Sequence, residues 1–409
     1  MTPLQFPRLC GLLFCLLIAG DLAADWHDPQ PFRRDRLDGR QFEYNAESFL
    51  HRFSFEAKPA LGYSRRVSRE GLRGTAGSTR SSELYVNMEA RARFDMDGPA
   101  FAEYRFRRFE DFDGRYDSNL IGVGAEYGDW RATLRGDVVG AKEDIDLQYE
   151  LRWGNGAGSH IRAVLVQVDA MYNSKQGEGG YERYPFTGYL EGVWLAPGNV
   201  AVYGFINSNR PTRLSEAERD FRLRDEQHAV GVGMDVPMGR NWAVGLELEG
   251  LYGVRRRDGY AAPGMNDQRL RRRFGAGTLE LRQTVRQDLS AWYGVRYLRL
   301  VEDDRRPGDP DAWNRASRRE TMIYGGVRWQ WRERVALSPG VFLNHVDNRE
   351  RFPFAADQND RERGFYGKLA PAVELLVNRR TGGTISINPT VRLHRLAFGG
   401  GNIQADFPF

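Results

Sequence analysis

From about residue 84 onward the chain alternates apolar and polar side chains with a period of two. Leu84, Val86, Met88, Ala90, Ala92 and Phe94 fall on one face, while Tyr85, Asn87, Glu89, Arg91, Arg93 and Asp95 fall on the other. That pattern predicts a strand with one face against an apolar medium and one against water. Asp97-Gly98-Pro99 turns the chain, and Ala102, Tyr104 and Phe106 continue the apolar face against Glu103, Arg105 and Arg107. The same unit recurs. Gly128-Asp129 joins Ile121-Val123-Ala125-Tyr127 to Trp130-Ala132-Leu134, and further tight turns fall near 155–158, 197–199, 237–241, 287–288, 332–334 and 378–383. Between these hairpins lie longer connections rich in Arg, Asp, Glu and Gly, at about 64–81, 109–117, 171–182, 208–226, 253–271, 302–318 and 347–363.

Short and long connections in alternation predict an all-β, transmembrane, antiparallel up-and-down barrel. Counting hairpins gives about 18 strands between Phe49 and Phe409; 16 is the rival count, because the first strand and the segment near 160–170 alternate poorly. Either number is even, so both ends of the barrel lie on one side. Pro339, Pro371 and Pro389 predict bulges or lost pairing, since proline cannot donate to a ladder. Ser215 to Asp225 is read as a short amphipathic helix within its loop.

Both ends of the chain add to this picture. Arg8, the apolar run Gly11 to Gly20, and Asp21-Leu22-Ala23-Ala24 predict a signal peptide over 1–24. A short periplasmic segment, 25–48, then leads into a barrel over 49–409. The final alternation Ile403, Ala405, Phe407, Phe409 resembles the C-terminal signature of Gram-negative outer-membrane β-barrels. The resemblance implies an outer-membrane location in contact with lipid and lipopolysaccharide. It also implies a closing strand, ending in Phe407 and Phe409, that is read by the barrel-insertion machinery. In architecture an Arg-rich barrel of this size is similar to alginate-type exopolysaccharide-export barrels and substrate-specific porins. That likeness implies transport of small anionic or saccharide solutes, or of an exopolysaccharide.

Composition alone points elsewhere. A mean hydropathy of −0.59 and 28% charged residues suit a soluble protein. A transmembrane barrel, however, averages a lipid face with a lumen face, so its mean is polar by construction. Of the 59 basic residues, Lys58, Lys142, Lys175 and Lys368 are the lysines, and the arginine excess suits bidentate contact with phosphate or carboxylate. A net charge of +4 is too small to argue for nucleic acid. Cys10 and Cys15 both fall in the leader, which leaves the mature chain without thiols for disulfides or metal.

Candidate functional positions follow from the faces. Trp130, Trp153, Trp194, Trp242 and Trp331 sit on the apolar face beside short turns, as a membrane girdle would. The inward face carries Arg91, Arg93, Arg105, Arg107, Arg131, Arg135, Arg152, Arg282, Arg296 and Arg328 with Glu89, Glu103 and Glu150, which are candidates for pore selectivity or for ties between strands. Tyr85, Tyr189, Tyr203, Tyr324 and Tyr366 are candidate pore aromatics that stack on sugars or pack the lumen. No cofactor is expected. Outer-membrane lipases and deacylases need a serine and its base on one strand face, and none of the six histidines offers His-x-Ser, so no enzyme is expected. His345-Val346-Asp347 and Asp111-Phe112-Asp113-Gly114 are weaker candidates for proteolysis and calcium.

Overall fold

The computed structural model describes residues 71–408 except 81–82, 112–113, 139–146, 155–158, 168–179, 184–185, 199, 210–211, 217–220, 260–266, 379 and 394–395. The expected leader, periplasmic segment and first strand near Phe49, together with Phe409, lie outside the described residues. The first half of the sheet comprises β1 (Gly71–Arg80), β2 (Glu83–Asp95), β3 (Ala100–Asp111), β4 (Gly114–Tyr127), β5 (Trp130–Asp137), β6 (Leu147–Gly154), β7 (His160–Gln167), β8 (Gly180–Arg183), β9 (Phe186–Ala196) and β10 (Val200–Asn209). The second half comprises β11 (Thr212–Glu216), β12 (Phe221–Met238), β13 (Trp242–Gly259), β14 (Gln268–Arg286), β15 (Leu289–Arg305), β16 (Asn314–Arg332), β17 (Val335–Arg351), β18 (Asp360–Asn378), β19 (Gly383–Arg392) and β20 (Ala397–Pro408).

Neighbouring strands pair antiparallel throughout, and β1 pairs with both β2 and β20, so the sheet closes on itself. Closure satisfies the main chain without leaving an edge in lipid. β8 and β11 pair with each other, and β11 pairs with the far end of β12. They prolong β9 and β10 above the main wall, which leaves a wall of 18 strands. The helix expected at 215–225 is instead the end of β11 and the start of β12, because pairing with neighbours on both sides outweighs a weak local amphipathic pattern. β1 occupies what the sequence suggests is the first long connection; its glycines and small residues hide the alternation, and its strand is set by ladders to β2 and β20.

Among the described residues the tight turns fall where expected, with Gly98 and Gly128 taking positive φ of 84° and 58°, and the turn expected at 155–158 lies outside them. The long connections are shorter than expected. β12 to β18 are 17–19 residues each, well beyond the roughly 9–11 that cross a membrane. On β16 the outward side chains from Thr321 to Trp331 are mostly apolar, and Arg315 and Arg319 follow above them. The segments near 253–271, 302–318 and 347–363 are therefore mostly strand, projecting past the membrane. Pairs such as Arg349 with Asp347 (2.8 Å) and Arg305 with Asp303 (3.1 Å) run along these projections. Two guanidiniums, from Arg349 and Arg361, hold the Asp347 carboxyl well below the usual carboxylate range. The shorter turns lie at the end where β1 starts and β20 finishes, which is the periplasmic end by the asymmetry of such barrels. At the prolines, β18 loses its partner positions on β19 between Leu369 and Val373, and the β19 register shifts between Pro389 and Val391.

Candidate functional site

Alternation in β2 to β7 turns one polar row after another into the lumen, and register brings opposite charges together. Arg93 donates to Glu126 at 2.6 Å, Arg131 reaches Glu126 at 3.7 Å and Glu103 at 3.1 Å, and Arg91 lies 3.9 Å from Glu103. Arg135 bonds Glu103 and, at 2.9 Å, Glu150, which also accepts from Arg162 at 3.2 Å. The result is one continuous ladder of ions across six strands. It fits because β4 carries glycines where side chains cross. A Cβ on Gly122 would stand 2.8 Å from Arg135 Cγ, and one on Gly124 would stand 2.3 Å from the ring of Phe101. Arg93 and Arg131 place their guanidiniums 4.2 and 4.6 Å from that ring. Glu103 and Arg135 are only 3% and 1% exposed, so these charges are packed into the wall instead of standing in open water.

Elsewhere the wall repeats the device with aromatics. Tyr324 lies over Gly294, whose Cβ would meet the phenol at 2.3 Å, and donates to Glu280 beyond it at 3.0 Å. Tyr203 lies over Gly233, Phe205 over Gly231, and Trp292 over Gly326. Tyr189 stacks on Phe205 with ring centres 6.1 Å apart and donates to Glu191 at 2.5 Å, while Tyr366 packs beside the buried cluster Met322, Tyr324, Phe342 and Ala370. Glycine in a strand accommodates such close approach. Replacing Gly294 by alanine is expected to cost about 1–3 kcal/mol by overpacking. The same change at Gly192, which has open space around it, should be near neutral. Urea unfolding of the two refolded variants checks this.

The remaining sequence-selected positions divide plainly. Arg282 pairs with Asp235 at 2.5 Å, Arg296 with Glu249 at 2.7 Å and Arg328 with Glu374 at 2.8 Å, and none of these three arginines is as buried as Arg135 or Arg162. Arg105 is buried, and Arg152 is half-buried opposite Arg131 and Arg162 in register. Tyr85, Glu89 and Arg107 lie on β2 and β3, but their side chains fall outside the described ones. All five girdle tryptophans are on the exposed outer surface near short turns. Phe407 pairs with Leu72 of β1 on the closing strand. His345 packs on Phe365 while Asp347 binds arginines, so these two do not form a working pair. Among the described residues no cluster suits a metal.

Sequence reasoning passed over Glu126 and Arg162, which the register brings into the ladder. Arg162 was hidden because β7 is apolar on both faces around it, with Val164 and Val166 inward and Ile161, Ala163 and Leu165 outward. Above the membrane, Arg257 on the inner face of β13 lies near Arg255 and near Arg306 after β15, which pairs with Asp304 at 3.3 Å. Burial, then the like charges of Arg306 and Arg255, lower the Arg257 guanidinium below its ordinary range.

A closed wall, an outer belt of exposed Leu, Val, Ile and aromatic side chains, and an ionic inner face define a transmembrane β-barrel of the outer membrane. No family model matches the chain, and no curated protein matches it. Among solved structures it is similar to the OccAB2 protein of Acinetobacter baumannii (8% identity, TM-score 0.40, covering 82% of this chain and 97% of that one). It is also similar to the outer membrane channel DcaP of Acinetobacter baumannii (10%, TM-score 0.37, 82% and 96%) and to a bacterial polysaccharide outer membrane secretin (10%, TM-score 0.38, 83% and 97%).

Proposed function

We propose that this barrel is a passive outer-membrane channel for hydrophilic, anionic or saccharide-like solutes, with an arginine-lined outer mouth as its selective element. The gathering of Arg255, Arg257 and Arg306 at the mouth, with Asp304 and Asp267 beside them, carries the reading, because three guanidiniums share one stretch of the path. Such a site raises the local concentration of anions at the entrance. Below it, Arg282, Arg296 and Arg328 continue the polar path, each beside an acidic residue, which suits passage better than retention. Arg91, Arg93, Arg131 and Arg135 serve as ties in the wall. The same path accepts an imported oligomer or an extruded anionic polysaccharide.

Planar-bilayer recording tests the proposal. The wild type should conduct and prefer anions, and Arg255→Gln with Arg257→Gln should lower the anion-to-cation permeability ratio by about twofold or more, most strongly at low salt. An unchanged reversal potential removes the mouth from the mechanism. A correctly inserted wild type that never conducts favours a receptor or assembly barrel, a reading supported by the deep burial of Arg135, Glu280 and Lys368 on the inner face.

A further inference from the structure

The outer surface of the wall carries a constellation unrelated to the lumen. Ser208 on β10 lies directly opposite His228 on β12, and both point outward, in phase with exposed Ile206 and Val230. Ser208 Oγ is 2.7 Å from His228 Nδ1, and His228 Nε2 is 3.0 Å from Glu226 Oε1. The imidazole therefore bridges a hydroxyl and a carboxylate. A carboxylate can only accept, so the bond to Glu226 assigns the ring proton to Nε2 and leaves Nδ1 as a base facing the serine. The His228 side chain is 40% exposed. Below it, the outward positions of β12 from Val230 to Met238 are apolar over a length that fits a membrane-crossing strand; above it stands exposed Arg224. The three groups sit at the boundary between hydrocarbon and headgroups.

A second feature leads to the same point. The outer face has a groove of about 750 Å³, lined by Val123, Leu134, Tyr149, Leu165, Gly188 and Ile206 among others. The first five form one cross-strand row, each opposite the next in register, and Gly188 is opposite Ser208. The groove thus runs across the sheet to Gly188 and Ile206, which flank Ser208 across and along the strand. From β4 to β10 it spans five strand spacings, roughly 24 Å at about 4.8 Å each, which suits a long acyl chain. The row continues past His228 through Tyr252 to Arg273, so a cation stands on the opposite side of the serine from the groove.

We propose that this surface is a lipid-facing serine acyl-hydrolase site whose substrate is the acyl ester of a membrane lipid. The acyl chain occupies the groove, the ester carbonyl meets Ser208, and the headgroup phosphate lies toward Arg224 and Arg273. Ser208 Oγ attacks the carbonyl carbon while His228 Nδ1 takes its proton. The lipid alcohol leaves with that proton, giving an acyl-Ser208 ester. Water then attacks this ester, again deprotonated by His228, and Ser208 regains its proton as the fatty acid is released. The balance is ester plus water to acid plus alcohol, with no oxidant or other co-reactant. Glu226 is a positioning residue that fixes the ring and its tautomer. This activity is independent of conduction through the lumen.

The test uses the full chain refolded into phosphatidylethanolamine vesicles, with heat-modifiable migration as the check on folding. Wild type should release fatty acid from these vesicles and be labelled by a fluorophosphonate probe on Ser208. Ser208→Ala should abolish both, His228→Ala should slow release by about a thousandfold, and Glu226→Gln should slow it while Glu226→Asp restores part of the rate. Ala163→Trp, which fills the groove, should shift preference from palmitoyl to octanoyl esters with labelling unchanged. The proposal is overturned if folded wild type neither releases fatty acid nor takes the label, or if either persists in Ser208→Ala. Labelling without lipid hydrolysis would overturn the assigned substrate.

Discussion

Replacing Glu103 by alanine should destabilise the barrel by about 3–5 kcal/mol, because it strands buried guanidiniums that have no water to turn to. Glu103 is the shared acceptor of Arg131 and Arg135 and lies 3.9 Å from Arg91. Arg135, at 1% exposure, keeps only its bond to Glu150 once Glu103 is gone. Removing both ions together, as Glu103→Leu with Arg135→Met, should recover a large part of the loss, since a packed apolar pair avoids the desolvation cost. A double-mutant cycle followed by urea unfolding from lipid vesicles measures the coupling. A loss under about 1 kcal/mol would mean that lumen water solvates these groups as it does surface pairs. The ladder would then be open channel lining after all.

Arginine at Leu248 should cost about 2–4 kcal/mol, the range for a cation on the lipid face near the bilayer midplane. Leu248 is 49% exposed, halfway along the outward positions of β13 between Val244 and Val254, with no polar group to receive a charge. Leu134 on β5 should behave alike. Leu248→Phe keeps an apolar surface toward lipid and should leave the unfolding midpoint nearly unchanged. If Leu248→Arg were as stable as wild type in vesicles, the face assignment of β13 would be inverted. From sequence, Thr133 is a position where arginine ought to be mild, because it faces the lumen. In the structure it is 4% exposed, opposite Gly124 on β4 and Glu150 on β6, so arginine there meets a full wall. Facing inward and facing water are separate conditions.

Much of the fold is legible because barrel strands write their environment into a period of two. The hairpin at Asp97-Gly98-Pro99, the outward tryptophans and the closed antiparallel wall come from that local code, whereas β1 joins the 18 strands through its ladders to β2 and β20. The code weakens where both faces have the same polarity. β7 is apolar on both sides, and the ends of β13 to β18 are charged on both sides, so a strand and a charged loop look alike there. Main-chain pairing, which composition does not record, decided those segments.

The sequence by itself determined the solvent of each face, the turns and the closed antiparallel class, because each depends on neighbours one or two residues apart. Only the tertiary structure decided which inward ions cancel, which aromatics lie flat on glycines, and that Ser208 meets His228 although 20 positions separate them. Those contacts are set by strand register, a relation between distant segments. A slip of one residue would reverse every face while leaving the alternation of each strand unchanged.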